Sequence, residues 1–153
     1  MKRRILDFRP EIDAIIKRCE VCSLAMSMPD GRPYVVIMNF GYKDGVFYFH
    51  SSPEGMKINV LREFPEVCIA LSTDHHLRWQ NEQVACSYGM KYRSVTVRGS
   101  VEFMHDLDQK KEALNIIMQQ YTEGTFEYSL PSLENVCVFR LQPQSIEARA
   151  YGY

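Results

Sequence analysis

The sequence predicts a mainly β domain of the α+β kind: a small closed or split β-barrel of six or seven antiparallel strands with peripheral helices. Three observations carry that expectation. Short runs of branched and aromatic residues recur between turn signals, Asp30-Gly31 and Asp44-Gly45 are hairpin dipeptides, and helical periodicity is confined to three stretches. A barrel suits this many strands because closure removes exposed sheet edges. At 153 residues the chain makes one domain, 1–153, with enough length for a proper core.

Pro10 to Cys19 sets Ile12, Ile15 and Ile16 on one helical face, with Pro10 suited to a helix start. Val21 to Met28 alternates loosely as the first strand and runs into PDGRP, where Asp30-Gly31 supplies the positive φ of a tight turn. Tyr34 to Tyr42 is almost wholly apolar and reads as one strand, and Lys43-Asp44-Gly45 turns it into the next, Val46 to His50. A polar loop leads to a helix from Met56 to Arg62, and Val67 to Ser72 is a fourth strand. Thr73 to Met90, which holds the single tryptophan, Trp79, reads as a polar excursion with at most one poor strand. Tyr92 to His105 alternates as a long bent strand with Gly99 at the bend. Asp106 caps the longest helix, which runs to Tyr121; Leu107, Leu114, Ile117, Met118 and Tyr121 form its buried stripe, and Lys110, Lys111, Gln119 and Gln120 its polar face. After a loop from Thr122 to Glu134, two strands, Val136 to Leu141 and Ser145 to Ala150, flank Gln142-Pro143-Gln144 and complete the sheet.

A formal net charge of -1 argues against a nucleic-acid footprint. Lys2, Arg3 and Arg4 are followed by no apolar run of signal-peptide length, and no segment approaches a membrane span, so a cytoplasmic protein without membrane or nucleic-acid partners is expected. Five cysteines, an odd number spread through apparent core segments, point to reduced thiols. Cys19 and Cys22 form a Cys-x-x-Cys, but no second pair and no spaced histidines complete a zinc set, so they are expected to pack as small apolar side chains and no metal is assigned. His75, His76 and His105 stand in polar or boundary contexts and are expected at the surface.

VFYFHSSPEGMKINVLR, from Val46 to Arg62, carries the chemistry. A buried strand gives way to His50, Ser51 and Ser52, then to Pro53, Glu54 and Gly55, and a helix opens near Met56 and Lys57. A helix start has unpaired N–H groups and the positive end of its dipole, two serine hydroxyls can donate to phosphate oxygens, Gly55 permits close backbone approach, and Lys57 neutralises charge. An ordinary capped connection would use the same residues, so the segment alone leaves both readings open.

PYVVIMNFGYKDGVFYFHSSPEGMK followed by YRSVTVRGSVEF and a helix resembles the flavin-binding split-barrel proteins related to pyridoxamine 5'-phosphate oxidase. Within them it looks most like the NimA-like branch, named for 5-nitroimidazole resistance. The resemblance implies a homodimer with two FMN sites at the subunit interface, each built from both chains. Val35, Val36, Ile37, Met38 and Asn39 would then line the ring, largely through backbone groups. His50, Ser51 and Lys57 would hold the flavin and its phosphate, with Ser52 and Met56 close by. Ser94, with Tyr92 and Arg93 beside it, would reach the flavin edge from a neighbouring strand or the partner. His50 is the candidate catalytic residue, since imidazole is easily tuned to exchange protons near neutrality.

The implied activity is FMN-dependent oxidoreduction by a ping-pong route, in which a reduced nicotinamide donor reduces the flavin and a small electrophile such as a nitroaromatic is the acceptor. The alternative is a flavin- or haem-binding carrier or sensor without efficient turnover. No Gly-x-Gly-x-x-Gly fingerprint is present, so a nicotinamide would bind only transiently. The chain departs from pyridoxamine 5'-phosphate oxidase at EARAYGY, where the arginine- and tryptophan-bearing substrate segment is missing, which argues against vitamin B6 oxidation. It departs from the NimA-like pattern at Ile37, usually proline, and at Glu147, Ala148 and Arg149, where a Gly-Lys pair is common.

Overall fold

Eight strands and four helices follow one another as β1 (Arg3–Leu6), α1 (Arg9–Arg18), β2 (Cys22–Ser27), β3 (Pro33–Met38), β4 (Gly41–Lys43), β5 (Val46–Ser51), α2 (Met56–Glu63), β6 (Glu66–Arg78), β7 (Gly89–Met104), α3 (Leu107–Tyr121), α4 (Leu130–Asn135) and β8 (Cys137–Tyr151). This is a computed structural model that describes every residue from Met1 to Tyr153. All strand pairs are antiparallel, in the order β3-β2-β6-β7-β8-β5-β4, with β1 added to β8. The sheet is not closed: of the closed and split forms expected, the split one is found.

The split comes from the apolar run Tyr34 to Tyr42, which is two strands rather than the single one expected. β3 pairs with β2 at one edge of the sheet and β4 with β5 at the other. Between them the Phe40 N–H finds no strand partner and donates instead to Tyr121 Oη at 3.0 Å, while Tyr121 donates to the Glu20 carbonyl at 2.7 Å. Tyr121 is therefore an exposed clamp and not part of a buried stripe. α3 buries Lys110, Ala113, Ile116 and Ile117, a face rotated from the expected one, so that it can lie directly on the β4 backbone at Gly41. Its neighbour Gln120 donates to the carbonyls of Ile16, Lys17 and Cys19 at 3.2–3.3 Å, satisfying the open end of α1.

Other boundaries also moved. β1 was hidden by the charges of Lys2, Arg3 and Arg4, and α4 by the polarity of its loop, although Ser129 caps it through the Ser132 N–H and proline stands in its first turn. The two expected final strands are one continuous β8: the pairing steps from Arg98–Ser145 to Gly99–Pro143, leaving Gln144 as the extra residue of a bulge that accommodates the proline. Gly99 sits opposite because a Cβ there would lie 2.5 Å from the Gln142 carbonyl oxygen. The hairpins at Gly31 and at Asp44-Gly45 have the expected positive φ, and Asp106 accepts from the Gln109 N–H at 3.0 Å.

The excursion from Thr73 to Met90 is largely strand. β6 passes through a bulge between Thr73 and His76 and runs on to Arg78, and β7 returns from Gly89. Exposure of both faces of this arm removes the two-residue alternation by which a strand is recognised. At the bulge Asp74 adopts φ 58°, and its carboxylate holds Arg18 at 2.7 Å and Arg93 at 2.9 Å. The Arg18 hydrogen bond, with that of Arg93, keeps the Asp74 carboxyl below its ordinary range. A depressed carboxylate stabilises the fold above its unfolded pKa and loses that contribution as pH falls through the folded value. Asp74→Asn should therefore cost about 1–2 kcal/mol at pH 7. That deficit should shrink below about pH 4 in paired urea unfolding curves. A deficit unchanged between pH 7 and pH 3 would remove the ion-pair explanation.

The core lies inside the curved sheet, where Phe40, Phe47, Phe49 and Phe139 are fully buried. Cys19 and Cys22 are buried within it, and burial raises their thiol pKa values to about 11 and about 12, the behaviour of packed apolar side chains. Cys86 departs from the expected core placement: it is exposed on the β6–β7 arm. No helix is long and apolar enough to cross a membrane.

Candidate functional site

The end of β5, the Ser52–Gly55 loop and the first turn of α2 enclose a cleft of about 400 Å³ against β3. Tyr34 and Val36 form its apolar wall; His50, Ser51, Ser52 and Glu54 its polar rim; Met56 and Lys57 its helical side. Strand alternation aims Tyr34, Val36 and Met38 inward and leaves Val35 and Ile37 on the outer face, 54% and 65% exposed.

α2 begins on Gly55, whose φ of 126° and ψ of 168° belong to glycine alone. No side chain caps the helix and no acid stands in its first turn. A lysine stands there instead, at the positive end of the helix dipole, where a cation is unfavourable. Lys57 Nζ has Met38 Sδ at 3.7 Å as its polar contact, and no carboxylate pairs with it, although eight arginines of this chain each hold one. The cleft therefore sets an unpaired lysine beside free backbone N–H groups, with Glu54 the one carboxylate on its rim.

His50 lies opposite Val138, and Ser51 opposite Cys137, on neighbouring β8. Burial of part of the His50 ring, and then the charge of Lys57, lower its pKa below the ordinary 6.5. The imidazole is consequently neutral at pH 7, with one nitrogen to donate and one to accept.

The structure thus brings together Val36, Met38, His50, Ser51, Ser52, Met56 and Lys57. Ile37 faces outward, and Asn39 borders a separate polar hollow with Lys17, Gln120 and Tyr121. Tyr92 and Ser94 do not line the cleft: β7 faces His50's partner Val138 through Met104, ten residues along from Ser94. Tyr34 lines the cleft but was not singled out by sequence. Its signal was there, as the third member of the two-residue alternation with Val36 and Met38. His75, His76 and His105 are exposed, as expected.

The sequence model of the family described as "Pyridoxamine 5'-phosphate oxidase" matches residues 9–150. Among solved structures, the chain is similar to a candidate 5-nitroimidazole antibiotic resistance protein from Bacteroides thetaiotaomicron, with 38% identity over 97% of this chain and 87% of that one and a TM-score of 0.88. An FAD- and heme-binding protein from Mycobacterium smegmatis shares the fold at 16% identity, covering 100% of this chain and 75% of that one, with a TM-score of 0.85. A flavocytochrome from Azotobacter vinelandii does so at 19% identity, covering 99% and 70%, with a TM-score of 0.82. No curated protein sequence matches the chain.

Proposed function

Because this chain belongs to the pyridoxamine 5'-phosphate oxidase family of flavin-binding split barrels, in the branch similar to 5-nitroimidazole resistance proteins, we propose that it is an FMN-dependent oxidoreductase acting on a small electrophile such as a nitroaromatic, with a reduced nicotinamide as donor. The observation that carries the proposal is the unpaired Lys57 at the uncapped start of α2, beside an apolar wall. These residues fit the group. A phosphate ester supplies the missing anion, and a planar ring finds Tyr34, Val36 and Met56.

A bound flavin would supply the electron transfer in both half-reactions. Around it, Lys57 and the first-turn amides of α2 hold the phosphate, while Ser51 and Ser52 donate hydroxyl hydrogen bonds. Gly55 keeps the backbone free of a Cβ where that anion approaches. His50, neutral at pH 7, presents a ring nitrogen that can give or take a proton at the ring's polar edge. Tyr92 and Ser94, which do not line the cleft, would join such a site from a second copy. The outer face of edge strand β3, with Val35 and Ile37 exposed and its outer backbone groups unpaired, is the surface that a homodimer with shared FMN sites would cover. The odd set of five thiols favours a reducing compartment, and the cytoplasm is the proposed location.

The test is an absorption spectrum before and after FMN is added, followed by anaerobic addition of a reduced nicotinamide. A bound flavin spectrum that bleaches supports the proposal, and a protein that stays colourless with FMN ends it. Bound flavin that cannot be reduced, or a haem spectrum, favours a carrier or sensor. His50→Ala is expected to lower turnover by about tenfold to a hundredfold while flavin occupancy changes less than threefold. Equal loss of both would make His50 a binding residue.

A further inference from the structure

A second hollow, of about 540 Å³, lies between the loop that joins β6 to β7 and the end of β8, apart from the Lys57 cleft. Its walls are Tyr88, Tyr92 and Tyr151 with Met1 and Met90, and Arg78 is the cation on its rim. No acidic side chain lines it.

The walls are built. Tyr92 and Tyr151 face each other across β7 and β8 with ring centroids 5.7 Å apart. Tyr88 is stacked on Trp79 at 5.5 Å and 18°, and its hydroxyl donates to the Glu82 carbonyl at 3.0 Å. The arm is closed by Ser87 Oγ, which donates to the Asn81 carbonyl at 2.7 Å and accepts from the Asn81 N–H at 3.1 Å. Arg78 enters no ion pair, unlike Arg93 nearby, which is held by Asp74 and lies over the Tyr153 ring. Aromatic faces and polarisable methionine sulfur select a flat ring, and a free guanidinium without competing acids selects a carboxylate.

We propose that this hollow binds a planar aromatic carboxylate, with Arg78 reading its charge. Strand alternation sets Tyr92 and Ser94 on one face of β7, so the hollow adjoins the surface that the two-chain flavin site would use. The identification of this ligand as the substrate rests on the oxidoreductase reading; the binding itself does not.

Trp79 is the only tryptophan of the chain and leans on a wall of the hollow, so its fluorescence reports occupancy. The purified protein and Arg78→Met are titrated with 4-nitrobenzoate and with its neutral counterpart 4-nitrobenzamide, and FMN binding is recorded separately by its visible spectrum. The protein should show saturable quenching, with nitrobenzoate bound about tenfold more tightly than the amide. Arg78→Met should abolish that preference, leaving amide binding and the FMN spectrum unchanged, and Arg78→Lys should keep part of it. Absence of saturable quenching, equal affinity for the two probes, or a preference that survives Arg78→Met overturns the proposal. A protein that shows the preference but never binds FMN would refute the flavin reading and leave the hollow's ligand class standing.

Discussion

Lys57→Met is expected to weaken FMN binding by about a hundredfold while leaving thermal stability of the ligand-free protein unchanged. A hydrogen bond to a charged group contributes about 1.5–3 kcal/mol, and each 1.4 kcal/mol is about a factor of ten in affinity. Lys57 falls at the upper end because no carboxylate is paired with it and because its contact, Met38 Sδ at 3.7 Å, is a weak acceptor. Methionine keeps the stem that packs over Met38 and removes only the charge. Riboflavin, which lacks the phosphate, is the internal control and should bind both proteins equally. A second readout comes from His50. Since Lys57 contributes to lowering its pKa, the imidazole should titrate closer to 6.5 in Lys57→Met when followed by NMR. If FMN affinity fell less than threefold, or riboflavin lost as much as FMN, the phosphate would have to sit elsewhere.

Gly41→Ala should destabilise the fold by about 3 kcal/mol, the upper end of overpacking effects. A Cβ at this position would lie 2.6 Å from Ile117 N, 2.7 Å from Ile117 Cα and 2.8 Å from the Ile116 carbonyl carbon. These are helix backbone atoms, so no rotamer change relieves the clash, and α3 as a whole must move from β4. That movement would also strain the Phe40–Tyr121 bond, which fastens the crossing from β3 to β4. Gly31→Ala is the comparison: φ is +85° but nothing lies within 4 Å of the added methyl, so only backbone strain of about 1 kcal/mol is expected. Urea unfolding midpoints of the two variants measure the difference. Similar losses in both would mean that α3 can retreat from Gly41 without cost.

The resemblance in PYVVIMNF…HSSPEGMK led to the fold family, and local physics placed α1, β2, β5, α2 and α3 within a residue or two. Turn chemistry at Asp30-Gly31 and Asp44-Gly45 needs only neighbouring residues, as does the Asp106 cap, and the strand–loop–helix order from Val46 through Gly55 to α2 is likewise local. Six of the residues named from sequence line the cleft, and Met38 touches Lys57 beside it, because they belong to two short segments that pack side by side, 36–38 and 50–57.

Tertiary structure settled what depends on partners far along the chain. Tyr34 to Tyr42 reads as one strand because apolarity is local, but its break depends on Tyr121, eighty-one residues away, which takes the Phe40 N–H. The α3 stripe was misplaced because the side that faces inward is set by a glycine on β4 and not by the helix itself. β6 and β8 were cut short because a bulge absorbs Asp74 in one and Gln144 in the other, and a bulge is defined only against a partner strand. That Tyr92 and Ser94 lie outside the cleft has the same origin: register across β5, β8 and β7 decides what faces His50, and register is a property of pairing that no single segment encodes.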